Sequence, residues 1–68
     1  MNQETFNLSI RQFLKMVGIN SQRHIEQAVG AAVADGAAKG NEVFPARMTL
    51  EIASLRLQVS FDGEIRLE

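Results

Sequence analysis

The chain has 68 residues, seven basic and eight acidic side chains, no cysteine and a net charge of −1. A chain of this length supports one small domain, and with no thiol it has neither a disulfide staple nor a sulfur nucleophile or metal ligand. The near-balanced charges alternate without a block, which argues against the concentrated positive surface that binding to nucleic acid or acidic membranes needs.

Phe6, Ile10, Phe13, Leu14 and Val17 recur at helical spacing and predict a first helix over about residues 4–17. Glu4 suits its positive end, and Gly18 is placed to end it in the left-handed conformation. Asn20 or Ser21 can cap a second helix whose stripe is Ile25, Ala28, Val29, Ala32 and Val33, closed by Asp35-Gly36. Two helices joined by so short a turn form a hairpin or corner. Residues 36–46 lack periodicity and read as a loop, with Pro45 suited to a position just before a strand.

From Met48 the period becomes two. Met48, Leu50 and Ile52 share one parity, Leu55, Leu57, Val59 and Phe61 the other, with the switch at Ala53-Ser54. A two-residue turn there pairs Ile52 with Leu55, Leu50 with Leu57 and Met48 with Val59; a bulge in one long strand restores the facing equally well. A second turn, the three-residue loop Phe61-Asp62-Gly63 with Gly63 left-handed, pairs Val59 with Ile65 and Leu57 with Leu67. The expectation is an α+β domain over residues 1–68. Its two-helix hairpin or corner covers one face of a three-stranded antiparallel meander, in the order ααβββ, with strands near 47–52, 55–60 and 64–68. Phe13, Leu14, Val17, Ile25, Val29, Leu50, Leu57 and Val59 would form its core. The opposite sheet face would be polar, with Glu51 facing Arg56 and Arg56 facing Glu68.

The chain resembles a family of short uncharacterised bacterial proteins sharing a domain of unknown function. The likeness is carried by Phe6 to Arg11 (FNLSIR), Phe13 to Arg23 (FLKMVGINSQR), Pro45 to Glu51 (PARMTLE) and the Phe61-Asp62-Gly63 segment. The resemblance implies a bacterial, cytosolic protein and brings no activity with it.

No residue pattern nominates a catalytic, cofactor or metal site. His24 is the single histidine and has no nucleophile or ligand partner at a telling spacing, so it reads as a boundary or surface residue. Asp35 to Gly40 has glycines and a lysine but not the order of a phosphate-binding loop. Leu14 to Gln27 bears comparison with a DNA-binding helix-turn-helix around Gly18-Ile19. His24 and Gln27 stand where that motif wants apolar residues, and Ile25 falls one place late.

The feature that stands out is Ala28 to Ala34, which has no polar side chain on any side. Gly30, Ala31 and Ala34 lie roughly opposite the Ile25–Val29–Ala32 stripe, and Leu8 points about 200° away from Phe6. These four residues are the candidate contact with a second copy or a protein partner, unless the first helix packs on them within one chain. The expected function is a non-enzymatic protein-interaction module, with a homodimer as one form of it. The alternatives are a helix-turn-helix-like nucleic-acid-associated regulator and a small-molecule binder or enzyme accessory subunit. The N-terminus carries no signal-peptide pattern, and no run is long enough to span a bilayer, so the expected location is the cytoplasm and no membrane partner is expected.

Overall fold

A computed structural model describes all 68 residues. The order is helix α1 (Gln3–Ala34), strand β1 (Val43–Ile52), a single 3-10 turn (Ala53–Leu55) and strand β2 (Leu57–Arg66). The expected ααβββ order is therefore corrected to αββ: one long helix stands in place of two, and two strands in place of three. The chain divides into two compact units, Met1–Ala37 and Ala38–Glu68.

The first unit is helical almost throughout. Asn2 is its N-cap, with Oδ1 accepting from the Thr5 N–H at 3.0 Å, and Glu4 complements the positive end. The helix passes through Gly18, Ile19 and Asn20 without a break. A mid-helix glycine costs only about 1 kcal/mol relative to alanine, too little to stop a helix supported on both sides. Of the two expected caps, Asn20 and Ser21, both lie inside the helix, and Asn20 turns its amide back to donate to the Met16 carbonyl at 2.8 Å. The two expected stripes are one stripe, because Val17, Ser21 and Ile25 follow each other at four-residue spacing and stay in phase across the supposed turn. The helix does end at the expected place. Asp35 is the C-cap, donating from its N–H to the Ala31 carbonyl, and Gly36 follows at φ 78°.

The second unit begins with a loop held by one carboxylate. Glu42 accepts from the backbone N–H groups of Lys39 at 2.7 Å, Gly40 at 2.9 Å and Asn41 at 3.2 Å. Gly40 takes φ 107°, a conformation a side chain would strain. The strands then pair antiparallel from Val43↔Arg66 to Ile52↔Leu57. The connection is four residues long, Ala53 to Arg56, closed by the Arg56 N–H donating to the Ala53 carbonyl at 3.0 Å. Arg56 is the one non-glycine residue with positive φ, at 53°.

This longer turn moves the register by two residues from expectation. Leu50 faces Val59 rather than Leu57, and Met48 faces Phe61 rather than Val59. A shift of two leaves every side chain on its expected face. The error lies at Asp62-Gly63, which is not a turn. Gly63 has no positive φ and sits inside β2 opposite Ala46. Phe61, Gly63 and Ile65 continue the face begun by Leu57 and Val59, so no loop is needed to place Ile65. The expected Glu51–Arg56 and Arg56–Glu68 pairs do not form; Gln58 faces Glu51, and Arg56 lies in the turn.

Candidate interaction surface

The hairpin has two unlike faces. One carries the pairs Phe44/Ile65, Ala46/Gly63, Met48/Phe61, Leu50/Val59 and Ile52/Leu57, with no polar side chain among them. The other carries Val43/Arg66, Pro45/Glu64, Arg47/Asp62, Thr49/Ser60 and Glu51/Gln58. On the polar face Arg47 Nε donates to Asp62 Oδ1 at 2.8 Å, and the Thr49 and Ser60 hydroxyls lie 3.0 Å apart. These are water-exposed contacts of small energetic weight, and they match the register.

Side chains of the apolar face are exposed. Phe61 is 58% exposed and Met48 45%, and Ile52, Leu57 and Val59 are also exposed. The helix is in the same condition. Phe13 is 48% exposed and Leu14 55%, and α1 contains no buried residue. Ala38, in the loop, is the single buried hydrophobic residue of the chain. The eight side chains expected to form a core are therefore half-buried at best: Val17, Val29 and Leu50 are half-buried, and the other five are exposed.

The candidate contact residues all lie on α1 and all are exposed. With a single helix, the alternative in which a first helix packs on the small side of a second is removed. Leu8 and Gly30 are separated by 22 residues, about 33 Å along the axis, so Leu8 does not join Gly30, Ala31 and Ala34 in one patch. A Cβ added at Gly30 would meet nothing within 4 Å. His24 lies on the helix with its side chain exposed, and Leu14 to Gln27 are one continuous helix without the turn that a helix-turn-helix needs. No group of three or more histidine and carboxylate side chains is placed to hold a metal ion. No helix is long and apolar enough to cross a membrane.

Sequence reasoning missed Glu42. The three backbone N–H groups, that of Lys39 foremost and then that of Gly40, hold its carboxyl below the ordinary carboxylate range. The available signal was an acidic residue directly after Lys-Gly-Asn, in a loop whose N–H groups have no ladder to join. The arrangement is structural: the carboxylate is consumed by the loop that it orders.

The model of a family described as a family of unknown function (DUF6494) matches residues 1–68. No curated protein and no solved structure matches the chain.

Proposed function

The chain belongs to this family of unknown function, which lends it no activity, and from its own surfaces we propose a non-enzymatic protein-interaction module that works as an assembly of two copies. One observation carries the reading: large apolar side chains stand exposed along both the helix and the hairpin, while a single alanine is buried. Soluble monomers keep contiguous apolar patches to a few hundred Å², and larger ones mark association surfaces. A bacterial cytoplasm belongs to the same proposal, supported by the cysteine-free composition and the family likeness.

Thermal unfolding followed by circular dichroism across a hundredfold range of protein concentration tests this. Folding coupled to association makes Tm rise with concentration. A sharp transition whose midpoint ignores concentration contradicts the proposal.

A further inference from the structure

We propose that two copies of this chain join through the outer edge of β2, antiparallel about a two-fold axis at Phe61, to make one four-stranded sheet with a continuous apolar face. The inference rests on the self-association reading and specifies its contact.

The two edges of the hairpin are not equivalent. In an antiparallel pair, positions alternate between those whose backbone groups bond to the partner strand and those whose groups point outward. The Leu67 N–H donates to the Glu42 carbonyl at 3.1 Å, and this fixes the alternation. Glu42↔Leu67 is a bonded pair, so Phe44/Ile65, Met48/Phe61 and Leu50/Val59 are bonded too. The outward backbone groups then belong to Val43, Pro45, Arg47, Thr49 and Glu51 on β1, and to Gln58, Ser60, Asp62, Glu64 and Arg66 on β2. Pro45 has no N–H, and its ring projects where an added strand would lie, so the edge of β1 is interrupted. The edge of β2 has a donor and an acceptor at every outward position. A free edge of ten residues beside an uncovered apolar face is an unsatisfied strand-pairing site.

Charge and length choose the register. An axis at Asp62 or Glu64 sets a carboxylate against its own copy, and an axis at Gly63 sets Asp62 against Glu64. Like charges directly opposite are unfavourable. An axis at Phe61 places Ser60 against Asp62 of the partner subunit and Gln58 against Glu64 of the partner subunit, which sets a hydroxyl and an amide donor against carboxylates. It also keeps residues 57–65 in the ladder, whereas an axis at Ser60 keeps only 57–63. In this register the odd residues form the non-bonded pairs, where side chains approach most closely. Phe61 meets Phe61 of the partner subunit on the apolar face, and Leu57 meets Ile65 of the partner subunit. Val59 falls against Gly63 of the partner subunit, where no Cβ competes for the space. A lone two-stranded hairpin is marginal in water, and the pairing raises it to four strands.

Two variants and one control variant test the contact. Directly opposed non-bonded Cα atoms lie about 4.5 Å apart, within disulfide range. In a chain that has no cysteine of its own, Phe61→Cys should therefore oxidise to a linked dimer. The expected rate is roughly tenfold or more above that of Thr49→Cys, because the paired thiols are held at high effective concentration. Ser60→Pro removes an outward N–H and no backbone bond of the hairpin, only the exposed hydroxyl contact with Thr49, so it should reduce the sedimenting mass to that of one chain. A wild type of dimer mass in which Phe61→Cys links no faster than Thr49→Cys overturns the β2 contact and leaves self-association standing. Ser60→Pro at full dimer mass overturns it likewise. A folded wild type of single-chain mass overturns the contact and the self-association reading together. If Ser60→Pro does not fold, the Phe61→Cys rate decides alone.

Discussion

The helix and the hairpin leave different things unfinished. Along α1 every interior N–H and C=O is bonded within the element, Asn2 serves the first turn and Asp35-Gly36 the last, so only a stripe of side chains is left exposed. In the hairpin the apolar face is equally exposed, and each strand also turns half of its backbone groups outward. Covering the stripe would complete the helix; the hairpin needs both a covered face and a partner at its edge. On the proposed reading, the most demanding contact lies in the sheet.

The largest expected effect tests that ranking. Met48→Asp places a carboxylate in the middle of the apolar face, beside Phe61. If association covers that face, the unpaired charge costs more than ~3 kcal/mol and abolishes both dimer and cooperative unfolding. Sedimentation and circular dichroism on the variant read both, and a folded dimer would mean that the face stays in water. Phe13→Ala asks the same of the helix. Loss of a covered phenylalanine costs about 3 kcal/mol, seen as a lower denaturant midpoint, whereas loss of an exposed one leaves the midpoint nearly unchanged.

Arg56→Gly is smaller and has the opposite sign. An arginine at φ 53° carries roughly 1–2 kcal/mol of left-handed strain, which glycine relieves, less its own entropy cost. The hairpin should gain about 0.5–1 kcal/mol, visible as a raised Tm. A lower Tm would show that the arginine side chain makes a contact worth more than the strain.

The smallest effect concerns Glu42. Its folded pKa is lowered by the N–H groups of Lys39 and Gly40, so its contribution is complete above the ordinary carboxylate pKa and is lost as pH falls through the lowered value. Amide exchange at Lys39 and Gly40, corrected for intrinsic rates, should lose protection on acidification. Glu42→Gln should show the weakened protection at neutral pH and little further change in acid. Protection that is constant to low pH in the wild type would remove the carboxylate from the account.

The period-two pattern from Met48 onward was legible because alternation is local, and it placed Leu50, Leu57 and Val59 on one face whatever the turn. The register was not, since Ala53 to Arg56 permits a two-residue or a four-residue connection and nothing in those side chains forbids Arg56 from entering the left-handed region. Asp62-Gly63 carries the composition of a turn while its neighbours alternate without interruption, and in the structure the alternation prevails. Gly18 misled in the same way, because a glycine permits a break without requiring one; the phase of Val17, Ser21 and Ile25 was the better signal. Leu8, Gly30, Ala31 and Ala34 fall off the main stripe by helical spacing, but bringing all four together needs two helices where there is one. The inequality of the two sheet edges became readable only once the Glu42–Leu67 bond fixed which backbone groups point outward.

Sedimentation equilibrium of the wild-type chain at several concentrations tests the central claim most directly. The account predicts a particle of twice the 7.5 kDa chain mass over the range in which the protein is folded. A folded, cooperatively melting particle of 7.5 kDa at the highest concentration would contradict it.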